Sequence, residues 1–169
     1  MFSKWLRENK VAAGILTVLR LYLGYTFFTA GLHKLTGGFD ASGFLKGAIA
    51  HPVTGPTGAT EYGWYVSFLK GFALPNVDIF NVVVPTGEVL IGLGLILGCL
   101  TTAAVFFALV MNFSFMFAGT VSSNPLDILL GTIILTAGYN AGHFGLDRWV
   151  IPFIRRTAFK GNNAIKQNG

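Results

Sequence analysis

The sequence predicts an all-α integral membrane protein, a four-helix bundle with a long extracytoplasmic loop that contains short interfacial helices. Three observations lead there. Of the 169 residues, 53% are hydrophobic and only 11% charged, against about 25% charged in an average soluble domain, so a water-soluble surface could not be covered. Mean hydropathy is +0.62. The apolar residues also gather into four runs near the roughly 20 residues of helix that cross a bilayer core.

The first run, 11–32, is interrupted by Arg20. Its basic flank (Lys4, Arg7, Lys10) is like that of a signal peptide. The run is too long for such a peptide, however, and no small-residue cleavage site precedes a soluble domain, so it is expected to be retained. The segment 33–78 is too long for a plain connector and is rich in aromatics: Phe39, Phe44, Tyr62, Trp64, Tyr65, Phe68 and Phe72. Within it Phe44-Leu45-Lys46-Gly47 recurs as Phe68-Leu69-Lys70-Gly71, each in a stretch suited to a short amphipathic helix lying on the outer face. Chance is the rival reading of so short a repeat.

The second run, 79–100, carries Glu88, and the third, 102–120, carries no charge. A tight uncharged link around Cys99 to Thr102 suits an antiparallel hairpin. The fourth, 126–145, has Asp127 and His143 near its ends and follows a helix-starting Ser122-Ser123-Asn124-Pro125. The tails 1–10 and 146–169 hold eight of the twelve lysines and arginines, which places both termini in the cytoplasm of a cell membrane. Trp5 and Trp149 then mark that interface. The net charge of +5 is assigned to these tails and to membrane lipid, not to nucleic acid.

Cys99 is the sole cysteine, which rules out an internal disulfide, a redox thiol pair and a cysteine-built iron–sulfur or zinc site within the chain. His33, His51 and His143 show no metal-binding spacing, and no second histidine reaches the depth of His143 to complete a haem. No nucleotide-binding motif is present.

The informative residues are ionisable ones inside the runs, each costing about 2.5–3.5 kcal/mol at a helix centre. Taking the midpoints of the first two runs as level, Arg20 and Glu88 are expected to form a buried ion pair, with Asn112 as a hydrogen-bonding neighbour. A helix staple is the bland alternative. Nearer the outer face, Lys34 is expected to pair with Asp127 beside His33; the alternatives are snorkelling of Lys34 and a helix-dipole role for Asp127. Asn140 and His143, three apart, are expected to share a helix face and to exchange protons with the cytoplasm or bind a carbonyl. A histidine bonded to backbone is the rival reading. Gly94 with Gly98, and Gly138 with Gly142, have the spacing that lets helices approach and suits a compact bundle or homo-oligomer. Gly24 and Gly31 around Phe27 and Phe28 leave room for a flat ring beside Arg20.

Arg20-x3-Gly24-x3-Phe28-x2-Gly31-x2-Lys34, followed by Gly87-Glu88-x3-Gly92, resembles the DoxX/DoxD family of four-helix membrane proteins over about residues 11–149. The ending Gly142-His143-Phe144-Gly145-Leu146-Asp147 and the long loop resemble the DoxD-type branch. That resemblance implies a subunit of a thiosulfate:quinone oxidoreductase, in which thiosulfate is oxidised, quinone is the electron acceptor, and a second subunit, DoxA, takes part.

The leading reading is a redox-associated protein, a possible quinone-linked oxidoreductase subunit acting on thiosulfate or a related sulfur or thiol compound. In it Arg20, Glu88 and Asn112, with Asn140, hold the quinone, and Arg20, Glu88 and His143 serve its protonation. Lys34, His33 and Asp127 receive the substrate. No metal is expected. Moving electrons then needs the quinone itself, a bound cofactor or a second redox subunit. The alternatives are a small anion or weak-acid transporter gated by the central charges, and a non-catalytic scaffold for a redox enzyme.

Overall fold

The computed structural model describes the backbone of residues 2–167 and the side chains of residues 2–157. Lys160 and Lys166, counted above among the tail charges, lie outside the described side chains. The described residues are helical with no β-strand, apart from an isolated bridge between Thr54 and Thr60. The elements in order are α1 (Phe2–Glu8), α2 (Lys10–Thr36), α3 (Ser42–Ala50), α4 (Gly63–Phe68) running into a π-helical turn (Leu69–Ala73), α5 (Val77–Leu97), α6 (Thr101–Phe117), α7 (Asn124–Ala137), a 3-10 segment (Gly138–Gly142) and α8 (Asp147–Gln167). Two of them, α2 and α5, are long and apolar enough to cross a membrane, and α6 is a shorter apolar helix.

Asn9 starts α2 by accepting hydrogen bonds from the Val11 and Ala12 amides at 2.7 and 3.3 Å, satisfying donors that a helix start leaves open. From there α2 packs mainly on α5, α5 on α6 and α6 on α7. The α2–α5 contact is set by glycines. A methyl group on Gly31 would stand 2.7 Å from the Val89 nitrogen and 2.8 Å from the Pro85 oxygen, and one on Gly92 would stand 2.5 Å from the Phe28 nitrogen. Backbone cannot yield as a flexible side chain does. Gly31→Ala and Gly92→Ala are each expected to cost about 1–3 kcal/mol by overpacking. Gly14→Ala, where an added methyl meets nothing within 4 Å, is expected to be neutral or to stabilise by about 0.5–1 kcal/mol through helix propensity. Unfolding of the three variants in the same detergent is the measurement, and equal effects would remove the glycine contact as the determinant of register.

Gly24 and Gly31 are therefore filled by α5, from Leu95 and Gly92 in one case and Glu88 and Pro85 in the other, and leave no slot for a ring beside Arg20. The Gly94/Gly98 and Gly138/Gly142 pairs also serve other ends. Gly94 faces Ala104 of α6, and Gly98, at φ +64, closes α5 in the left-handed conformation that glycine adopts without strain. Gly138, at φ +58, ends α7, and Gly142 makes room for Asp147. The run 126–145 is thus not one continuous helix. At 1.5 Å per residue, the 14 residues of α7 extend about 21 Å before the 3-10 segment takes over.

Between α2 and α5 the two Phe-Leu-Lys-Gly segments fall in α3 and at the junction of α4 with its π turn. Leu45 and Leu69, the matching positions, are both buried in one small core with Ala41, Ala48, Ala73 and Ala118, backed by Val77 and Phe80. The repeat therefore has a shared packing role at the end of the molecule where α5 begins and α6 finishes. Phe117 anchors α4 there, its ring centroid 4.9 Å from Tyr62, 5.5 Å from Trp64 and 5.6 Å from Tyr65. Ahead of α3, Asp40 accepts from the Ser42 hydroxyl at 2.5 Å and amide at 2.9 Å, which holds its carboxyl below the usual carboxylate range.

The exterior of the long helices is apolar: Val82 and Leu90 of α5 are 63% exposed, Phe107 of α6 and Leu129 of α7 57%. Polar groups are collected inside instead.

Candidate functional site

The charged residues inside the helices form two separate centres. In one, Lys34 Nζ lies 2.7 and 2.6 Å from the two carboxylate oxygens of Glu88. The carboxylate side chain is 4% exposed and the lysine 28%. Gly31 brings α2 against α5 at Glu88, and the side chain of Lys34, tilted toward its helix's N-terminus as helical side chains are, runs back to meet it. The Phe39 ring, 5.8 Å from Nζ, closes over the ammonium.

The expected Arg20–Glu88 pair does not form. Gly31, which touches Glu88, is eleven residues beyond Arg20, roughly 16 Å along the helix axis. The apolar runs have level midpoints, but the glycine contacts set a different register. Nor does Lys34 meet Asp127. Its ammonium is held by Glu88 instead, and His33 beside it is exposed.

Two more buried polar residues share the layer of Glu88. Gly87 of α5 lies against Met111 of α6, and Gly131 of α7 against Leu109 and Val105. This antiparallel sequence of contacts puts Glu88, Asn112 and Asp127 within about one helical turn of a common depth. Asn112 is 2% and Asp127 4% exposed. One carboxylate oxygen of Asp127 accepts from the Ser123 hydroxyl at 2.9 Å. Its other oxygen and the Asn112 amide nitrogen have no partner among the described residues. Buried polar atoms are nearly always paired, with protein, water or ligand, so this layer has capacity for a small polar guest.

The second centre is at the far end of α2. Arg20, 2% exposed, inserts its guanidinium between Gly98 and Gly145. Asp147 is the carboxylate on this side of the molecule whose charge favours it, without a direct salt bridge, and Arg20 Nε and Nη1 have no hydrogen-bond partner among the described residues. Asp147 is itself 3% exposed and accepts from the Leu100 amide at 2.6 Å and the Thr101 amide at 3.0 Å. It thereby caps the start of α6 from α8's first residue. Sequence reasoning noticed Asp147 only as part of a closing motif. Gly142, which leaves it room, and Gly145, which leaves room for Arg20, were the available signal.

Asn140 and His143 are joined by a single 3-10 turn, the His143 amide donating to the Asn140 carbonyl at 3.2 Å, but their side chains have different surroundings. Asn140 is buried and donates to the Leu6 and Asn9 carbonyls at 2.7 and 3.0 Å, locking the α1–α2 junction. His143 is half-buried and edge-on to Phe144 at 4.9 Å. Neither is near the Glu88 layer, and Asn140 works as a structural clamp.

Beside that layer lies an apolar groove of about 820 Å³ between α5, α6 and the α3–α4 cap. Gly87 and Met111 form part of its wall, and each is followed in sequence by a residue of the buried layer, Glu88 and Asn112. The DoxX family model matches residues 15–120, which takes in α2 through α6 and so most of the chain, with Arg20, Lys34, Glu88 and Asn112. The chain belongs to the DoxX family. Neither the curated proteins nor the solved structures searched give a match. DoxX membership and the apolar helices together make this a membrane protein with a redox association suggested by the family. The match stops before α7, leaving outside it Asp127, Asn140, His143, Asp147 and the ending that suggested the DoxD-type branch.

Proposed function

We propose that this DoxX-family chain is a multi-pass four-helix bundle, both termini cytoplasmic, that engages a quinone in DoxD-like redox chemistry with thiosulfate or a related sulfur or thiol compound as the source of electrons. The observation that carries the reading is the Lys34–Glu88 pair in one layer with the unpartnered atoms of Asn112 and Asp127, beside the apolar groove. The donor set suits a quinone: the free Asn112 N–H is a donor for a ring carbonyl, and the groove has the volume and lining for an isoprenoid tail. A bound quinone would accept two electrons and two protons. Lys34, which reaches solvent, and Glu88, which does not, form a short route for protons from water into the layer, and Asp127 lies at the same depth as a further acceptor or donor. Arg20 is no part of this group, for it belongs to the centre at the other end of α2. The chain has no redox thiol pair and no nucleotide motif, so electrons would enter through a second subunit.

The test is organic extraction of the purified protein for quinone, with an assay of thiosulfate- or thiol-dependent reduction of a soluble quinone. Wild type is expected to carry quinone, and Asn112→Leu to lose at least tenfold of it while unfolding as wild type does. A wild type free of quinone and inactive with both donors would end the proposal. The separation of two charged centres along α2 favours a weak-acid transporter as the second reading, and uptake into proteoliposomes without redox change would select it.

A further inference from the structure

The last helix presents a surface that the buried layer does not explain. α8 leans on the 3-10 segment and leaves its apolar side chains uncovered: Trp149 is 61%, Phe153 67% and Ile154 43% exposed. At about 100° per residue, Trp149, Val150, Phe153 and Ile154 fall on one side of the helix. Arg148 and Arg155 fall on the other and Arg156 at the border beside Trp149; all three are exposed, with no acidic residue between 148 and 157. The Arg148 guanidinium also lies 4.7 Å from the Trp149 ring, at the border of the two faces. At the same end of the molecule α1 contacts the 3-10 segment as well, and there exposes Phe2 and Trp5, stacked at 6.1 Å.

We infer that α8 is an interfacial helix that binds anionic phospholipid. Its apolar side would enter the boundary between headgroups and acyl chains, while its three arginines bind lipid phosphates. A helix with a segregated apolar side, a basic side and a tryptophan is driven to that depth by burial of its apolar area and by attraction to negative headgroups. Each arginine near an anionic surface strengthens the attraction about fivefold. Arginine suits the phosphate geometry, offering a planar fork of donors where lysine offers a point charge. An acidic protein partner would satisfy the charges but leave the exposed Trp149, Phe153 and Ile154 side unexplained, whereas a lipid surface accounts for both sides at once. The location next to Arg20 and Asp147 means that this helix also fixes, through its first residue, the end of the α5–α6 hairpin, so lipid contact would steady that turn.

Trp149 reports directly on the proposal. In full-length protein carrying Trp5→Phe and Trp64→Phe it is the only tryptophan. Reconstituted into vesicles with brominated phosphatidylglycerol or, at equal mole fraction, brominated phosphatidylcholine, it should be quenched several-fold more by the anionic lipid. That preference should vanish in Arg148→Gln/Arg155→Gln/Arg156→Gln and persist in the matching triple lysine variant, which keeps the charge and serves as the control for folding. Equal quenching by both lipids overturns anionic recognition. Quenching by aqueous iodide alone places the helix in water, and protection from lipid and iodide alike assigns the face to a protein partner; either result overturns the inference. Quinone content is a separate readout, so its loss or retention leaves this result unaffected.

Discussion

Lys34→Ala is expected to destabilise the protein by about 3–5 kcal/mol, the usual consequence of stranding one member of a buried ion pair. The Glu88 carboxylate is 4% exposed and both its oxygens take their hydrogen bonds from the lysine, so its loss leaves the carboxylate without any of its present donors. Glu88→Ala is expected to cost less, about 1–3 kcal/mol, because the remaining lysine is 28% exposed and can carry its ammonium out to water on a flexible stem. The order of the two effects is as informative as their size. Exchange of both residues for apolar ones, Lys34→Met with Glu88→Leu, is expected to restore stability to wild type or beyond, since packed hydrocarbon often matches or exceeds a buried pair. Stability is read from reversible unfolding in mixed micelles, and quinone content from the same preparations. A double variant that is stable and still carries quinone would reduce the pair to a helix staple. One that is stable and empty would give the pair its functional role. A Lys34→Ala protein within about 1 kcal/mol of wild type would mean that Glu88 finds water or another donor, and the layer would need a different account.

The residues of this layer were legible in the sequence, but their pairing was not. Glu88, Asn112 and Asp127 stand out as polar groups in apolar runs and Lys34 as a charge at the end of one, and all but Lys34 are buried. What composition cannot give is register. Hydropathy locates a span to within several residues, which on a helix is most of a turn or more, and level midpoints suggested Arg20 opposite Glu88. The register is set instead by Gly24, Gly31 and Gly92, where backbone meets backbone. Of the glycine pairs with the familiar four-residue spacing, Gly94 does pack against α6 at Ala104, whereas Gly98, Gly138 and Gly142 end helices or make room for charged groups. Likewise the helical period of the last apolar run gave no warning of the break at Gly138, whose positive φ ends α7 and carries Asn140 to the α1–α2 junction. The paired Phe-Leu-Lys-Gly segments were readable because their leucines recur in equivalent packing. Asp147 was missed as a cap because the amides it serves are nearly fifty residues earlier, beyond the reach of any local pattern.

That distant cap carries the second large effect. Asp147→Ala is expected to destabilise by about 4 kcal/mol or more, in the range reserved for loss of a buried charge network. Three consequences coincide at one side chain. The Leu100 and Thr101 amides lose their acceptor at the start of α6, and loss of a side-chain cap alone is worth about 0.5–2 kcal/mol. Leu100 sits at φ +52, a left-handed conformation that a branched side chain resists and that the bond to Asp147 at 2.6 Å holds in place. The Arg20 guanidinium, 2% exposed, loses the carboxylate charge that acts on it. Asp147→Asn keeps one oxygen as acceptor but not the charge, so an intermediate loss is expected. Addition of Arg20→Met should then relieve part of it, with a coupling of about 0.5–3 kcal/mol between the two positions, measured as a double-mutant cycle by unfolding in micelles. Strict additivity would show that Asp147 acts only as a cap and that Arg20 is neutralised by some other means. Gly98→Ala provides the geometric counterpart: an added methyl runs into Arg20 and stands 2.8 Å from the Gly145 Cα, at a φ of +64. Arg20→Met cannot rescue it, because the glycine backbone on the opposite wall stays where it is. Rescue of Asp147→Asn but not of Gly98→Ala would therefore separate the electrostatic part of this centre from its steric part.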